Sequence, residues 1–285
     1  MEEVKRHPGP YLVLPNHPAY CDPPNLIVHL LPAFIFRPLL LETNFKNPLL
    51  APFGWLLRAI KVPDVSEASA DTLERTRKSV ENVIAALKDG DNVVLWPSGH
   101  LMRSGTEKIG GARAVSDILA AVPNVTVVLA RSRGLWGSSF SWGYSGSKPK
   151  LMNRLFAGGG LLFANFFLLT PKRRGTITLE AFPTAKRPEP TREALNPWLE
   201  AWYNADVPRE EPTFVPYHFL FGKRTHEFPP PKAMAAIDFA DAKPATKEAI
   251  AELVAEKLKR PLTEAENRGE TTFSGLGIDS LETME

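Results

Sequence analysis

His17 and Asp22 stand five positions apart in "LPNHPAYCDPP", residues 14–24, bracketed by prolines. An imidazole oriented by a carboxylate can take a proton from an alcohol, a role that typically contributes ~10²–10⁴-fold in rate. On a straight helix a separation of five leaves two side chains about 140° apart. They can meet if His17 lies in a turn and Asp22 opens the next helix, which Pro23 favours by suiting the first helical position. The same placement makes Asp22 a candidate N-cap. The two roles are compatible, because one carboxylate oxygen can cap while the other orients the ring.

Further stretches carry groups that could hold a ligand. In "LWPSGHLMRSG" (95–105) a strand ends at Pro97 and turns at Ser98–Gly99, before a helix expected to start near 106–109. Loops at the carboxyl ends of strands form binding crevices in α/β sheets. Backbone N–H groups at Ser98 and Gly99, with Arg103, could bind a phosphate there. His100 is a second candidate base, ranked below His17 because no aspartate follows it at a similar interval. Arg131 and Arg133, in "LARSRGLWGSSFSWG" (129–143), follow a buried strand; they suit an anionic ligand or, equally, a solvated edge. In "GLGIDSLE" (275–282) Asp279 precedes Ser280, where it could cap a helix.

The elements that must position these groups alternate strand and helix up to residue 183. "YLVLP" (11–15), "RPLLLE" (37–42), "NVVLWP" (92–97), "VTVVLA" (125–130) and "GTITLEAF" (175–182) read as strands, the β-branched runs as strands buried on both faces. Between them, "PNLIVHLL" (24–31) and "NPLLAPFGWLLRAI" suggest helices. "SEASADTLERTRKSVENVIAALKDGD" is a long amphipathic helix with Leu73, Thr76, Val80, Val83, Ile84 and Leu87 at helical spacing, Ser66 or Ser69 as N-cap and Gly90 as the C′ glycine. "KIGGARAVSDILAAV" has the length of a crossover helix. This pattern predicts an α/β fold, a mostly parallel sheet flanked by helices. We place the main domain at 1–183, a proline- and aromatic-rich extension packed on it at 184–232, a linker at 233–245 and a last unit from 246, opening on an amphipathic helix with Ile250, Leu253, Val254 and Leu258 on one face.

The bulk numbers set limits. A net charge of +2 over 285 residues carries no polyanion signature, so no nucleic-acid partner is expected. One cysteine, Cys21, excludes an internal disulfide and a cysteine-based zinc site and fits a reducing compartment. The N-terminus does not read as a secretory signal. "LFAGGGLLFANFFLLT" (155–170) is too short and too glycine-rich to span a bilayer; it reads as a buried helix or loop, or as an interfacial segment with Lys172, Arg173 and Arg174 at headgroup level.

Taken together, "NHPAYCD", "FGWLLRAI", "WPSGH" and "VTVVLA" make residues 10–183 resemble the glycerolipid (lysophospholipid) acyltransferases, most of all the acyltransferase part of enzymes fused to an acyl-activating synthetase. The resemblance implies that His17 deprotonates a hydroxyl, that Asp22 orients it, and that the acyl donor is a thioester on coenzyme A or on an acyl carrier protein. It implies a lysophospholipid acceptor whose phosphate meets Ser98, Gly99, Arg103, Arg131 and Arg133, direct attack without an acyl-enzyme, no metal, and a cytoplasmic location at the inner membrane surface. Ser98 stands where that family has a glutamate, and Arg58 and Lys61 are the nearest substitutes for the arginine of its second motif. Residues 246–285 resemble the first half of an acyl carrier protein, which implies the start of a small all-α domain with 4′-phosphopantetheine on Ser280. A degenerate acyltransferase serving as a carrier or docking module, and a thioester hydrolase, are the other expectations.

Overall fold

The computed structural model describes residues 2–48, 50–63, 70–167, 172–207, 209–218, 222–230 and 244–267, together with 271 and 276. In chain order the elements are α1 (Glu2–Lys5), β1 (Tyr11–Pro15), α2 (Asp22–Leu30), β2 (Phe36–Leu41), α3 (Glu42–Phe45), α4 (Ala51–Leu56), β3 (Ile60–Val62), α5 (Ala70–Lys88) and β4 (Asn92–Val94). They continue with α6 (Ala114–Ala121), β5 (Thr126–Arg133), α7 (Trp142–Ser145), α8 (Leu151–Ala164), β6 (Thr176–Phe182), α9 (Arg192–Asn204), β7 (Tyr217–His218), β8 (Gly222–Lys223), α10 (Pro244–Leu258) and α11 (Glu264–Asn267).

Six strands form one sheet in the order β3-β2-β4-β1-β5-β6, and β7 with β8 form a small antiparallel pair. All neighbours in the large sheet are parallel except β5 and β6. The expected α/β class is therefore found. Every residue of β1 is buried, as its continuous apolar run predicts. Leu12 and Leu14 face α5, α6 and α9 through Val83, Leu87, Ile118, Leu119, Leu195 and Leu199. Tyr11 and Val13 face α1 and α2 through Val4, Leu26 and Leu30.

Local signals explain several boundaries. Gly90 ends α5 with φ +87°, its N–H on the Leu87 carbonyl and that of Asp91 on Ala86, the paired bonds of a Schellman stop. The N-cap expected at Ser66 or Ser69 lies outside the described residues. The helix expected near 106–109 begins only at Ala114. Residues 107–112 form a loop instead, bound from the side by α9: Asn196 donates to Gly110 and Ala112, and Glu200 accepts from Ile109 and Gly110.

The extension at 184–232 is more than a layer on a finished domain. Its helix α9 puts Leu195, Leu199 and Tyr203 wholly inside the main core, so the core does not close at 183. Helix α10 occurs where its periodicity places it, yet of its apolar face only Val254 is buried while Ile250 and Leu253 are exposed.

Candidate functional site

The carboxyl ends of β1, β4 and β5, the three central strands, converge on His17. Asn16 continues the ladder past β1: its side chain accepts from the Ser132 N–H and donates to the Ser132 carbonyl. His17 follows in a turn, its carbonyl taking the Met102 N–H from the loop after β4. Tyr20 donates its N–H to Phe140, which ties this turn to the loop after β5.

Asp22 is the first residue of α2, with Cys21 at the N-cap and no side-chain cap made there. The N-cap role expected of Asp22 is thus not what its oxygens do. Its wholly buried carboxylate accepts from the Ser132 hydroxyl at 2.7 Å on Oδ1 and from the Trp96 indole N–H at 2.9 Å on Oδ2. Oδ2 lies 3.5 Å from His17 Nδ1. That nitrogen is buried with no other partner, and Oδ2 keeps a second lone pair for it. At 3.5 Å the contact is longer than a hydrogen bond, as is common in ligand-free sites that tighten around substrate. With Nδ1 protonated toward Asp22, Nε2 presents the free lone pair.

Glu107 was not foreseen, and a single glutamate in a glycine-rich stretch carries no periodic signal. Its Oε2 accepts the His17 N–H at 3.0 Å, and its own N–H and carbonyl pair with the Asn204 side chain of α9. It is 2% exposed, and Oε1 has no partner. Burial pushes its carboxyl up to about 7, against the pull of the His17 N–H. His100 is held the other way: burial lowers its pKa, and its Nδ1 sits 3.1 Å from the Leu101 carbonyl. The Cys21 thiol is raised by burial, which keeps it protonated and a poor nucleophile.

The proposed phosphate ligands divide. Arg103 is exposed on the loop after β4, its guanidinium 5.4 Å from the Trp142 ring. Ser98 is buried and donates to the His100 carbonyl, while the Gly99 N–H closes the turn on Trp96 and so is not offered to a ligand. Arg131 and Arg133 are a correction. They do not follow the strand but lie within β5, paired opposite Thr178 and Thr176. At i and i+2 they point to one face, where the last turn of α9 ends. Arg131 donates to the Trp202 carbonyl, stacks over the Trp202 ring and pairs with Asp206. Arg133 donates to the Tyr203 and Val207 carbonyls and faces Glu210. Cations at helix C-terminal carbonyls are favoured by the macrodipole, and that is the work these two arginines do. Arg58 and Lys61 are also misplaced for a ligand at His17. Arg58 pairs with Asp91 at the amino edge of the sheet, and the Lys61 ammonium lies 5.0 Å from the Phe45 ring.

Ser280 lies outside the described residues. Among the described residues, no group of three or more His, Cys, Asp or Glu side chains is placed to hold a metal ion. No helix among them is long and apolar enough to cross a membrane.

No family model matches the chain, and no curated protein matches it. Among solved structures it is similar to the crystal structure of the 1-acyl-sn-glycerophosphate (LPA) acyltransferase PlsC from Thermotoga maritima, at 16% identity over 73% of this chain and 68% of that one, with a TM-score of 0.43. A likeness that distant bears on neither the site residues nor the chemistry.

Proposed function

We propose that the chain transfers an acyl group from a thioester, on coenzyme A or an acyl carrier protein, to a hydroxyl of a lysophospholipid or related glycerolipid. The observation that carries this reading is the His17–Asp22 pair: a wholly buried carboxylate fixed by Trp96 and Ser132, facing Nδ1 of a ring whose Nε2 has no hydrogen-bond partner among the described residues. In the reaction Nε2 takes the acceptor's hydroxyl proton and the oxygen attacks the thioester carbonyl. The tetrahedral adduct then collapses, the C–S bond breaks, and the thiolate leaves with the proton returned from the imidazolium. Asp22 holds the ring in its tautomer and offsets the charge that builds on it. The raised thiol of Cys21, the nucleophile nearest in sequence to Asp22, favours direct attack over an acyl-enzyme. Arg103 is the cation placed to meet an acceptor phosphate. A cytoplasmic site of action at the inner membrane face accords with a lipid acceptor.

The test is a mass-spectrometric assay of acyl-thioester with a panel of lysophospholipids. His17→Ala and Asp22→Asn are expected to lower transfer by ~10²–10⁴-fold. His17→Ala activity within threefold of wild type would remove His17 as the base. Thioester loss that proceeds equally well without acceptor would point to hydrolysis instead.

A further inference from the structure

Helix α8 presents a physical anomaly. It is fourteen residues of mostly apolar sequence, "LMNRLFAGGGLLFA", and not one of them is buried. Phe156 and Phe163 are each 71% exposed, and the turn that follows adds Phe166 at 69% and Phe167 at 65%. Nothing among the described residues comes within van der Waals reach of Cβ positions built at Gly158, Gly159 and Gly160. Helix α4 adds a second uncovered face through Phe53, Trp55 and Leu56. The two are linked where the Asn47 amide, just ahead of α4, reaches Met152 Sδ in the first turn of α8 at 3.0 Å.

Charge indicates what covers this surface. Between Gly134 and Leu179 the chain has six basic residues and no acidic one, although the whole carries only +2. Arg154 lies over Tyr144, and Arg173 is engaged with Gly134 and Thr213. Lys148 and Lys150 before α8, and Lys172 and Arg174 after it, are exposed. An apolar helix framed by exposed cations is the pattern of a segment lying in the headgroup region of an anionic bilayer. At 1.5 Å per residue α8 is about 21 Å long, short of the ~30 Å hydrocarbon core, so it lies on the bilayer rather than through it. A second copy fits poorly, since a two-fold contact would set the same basic segment against itself.

We propose that the exposed faces of α4 and α8, with Phe166, Phe167 and the four flanking cations, form a docking surface for an anionic lipid bilayer. The surface adjoins the candidate site through α7. Arg103 stands over Trp142 at one end of that short helix, and Arg154 of α8 over Tyr144 within it. The proposal deepens the transferase reading by naming the route of the lipid acceptor. Its test reads vesicle binding without an acyl donor, so each can fail while the other stands.

The full chain is floated with vesicles of phosphatidylglycerol and phosphatidylcholine, and separately with pure phosphatidylcholine. Binding to the mixed vesicles is expected to be at least tenfold tighter and to weaken at 1 M salt, where the screening length falls to ~3 Å. The exposed triple substitution Phe156→Ser, Phe163→Ser, Phe167→Ser should keep the wild-type melting temperature and lose at least tenfold in binding. Failure of the wild type to bind anionic vesicles, or unchanged binding by a folded triple variant, overturns the proposal. So does sedimentation showing a lipid-independent dimer that the triple substitution dissociates, because a second copy then covers the face.

Discussion

Glu107→Gln isolates one buried charge. The Glu107 carboxyl is 2% exposed and pushed up to about 7 from an ordinary 4.5. Because burial disfavours the ionised form, the native state binds its proton more tightly than the unfolded chain does. The stabilisation from that proton is fully present below about pH 4.5 and is lost as pH rises through about 7. At 1.36 kcal/mol per pKa unit, a window running from 4.5 to about 7 amounts to about 3 kcal/mol. Glutamine does not titrate, its oxygen can accept the His17 N–H, and its amide N–H₂ replaces the unpartnered Oε1. Urea unfolding of both proteins at intervals between pH 4 and 8 gives two stability curves in which other titrations cancel on subtraction. The difference, wild type minus variant, should fall by about 3 kcal/mol across that range and then level off. Parallel curves, agreeing within about 0.5 kcal/mol at every pH, would show that Glu107 does not titrate there and that the cause assigned to its shift is wrong.

Other substitutions separate holding the fold from holding the ligand. Arg131→Met removes a donor from the Trp202 carbonyl and should cost about 2 kcal/mol of stability without changing the acceptor KM; Arg103→Ala should raise that KM and leave the melting temperature unmoved, as paired steady-state and thermal measurements would show. Gly105→Ala puts a Cβ 2.4 Å from the Glu210 carbonyl at φ +78° and should destabilise well beyond the ~1–2 kcal/mol of left-handed strain alone. Gly99→Ala, at φ +64° with open space around it, should cost only that strain by thermal denaturation. If Ser280 carries phosphopantetheine, treatment of the chain with a phosphopantetheinyl transferase raises its intact mass, and Ser280→Ala abolishes the gain.

What could be read from the sequence is what depends on near neighbours in the chain. The parallel α/β sheet follows from uninterrupted apolar runs such as 127–130, and the stop of α5 from one glycine. The meeting of His17 with Asp22 follows from a turn and two prolines. What could not be read is the choice of long-range partner. An arginine pair past a strand has the same local pattern whether it awaits a phosphate or a helix end, and only the position of α9 decides. Asp22 at a helix start looks like a cap until Trp96 and Ser132 are seen to occupy its oxygens. Glu107 gives no hint of itself because its partners, His17 and Asn204, lie 90 and 97 residues away.

Those separations bear on how the protein is made. His17 and Asp22 precede their partners in the chain, and Asp22 meets Trp96 and Ser132 across 74 and 110 positions. The Tyr203 hydroxyl reaches the Leu14 carbonyl across 189. Each bond closes a long loop of chain, and such contacts are slow to form because their ordering entropy must be met first. The Leu12 and Leu14 side of β1 is therefore not fully covered until α9 has been synthesised and docked. Up to that moment the Leu12 and Leu14 face of β1 lacks the cover of Leu195 and Leu199, which makes the chain up to α9 an aggregation-prone intermediate. A truncation that ends at 183 would trap that state.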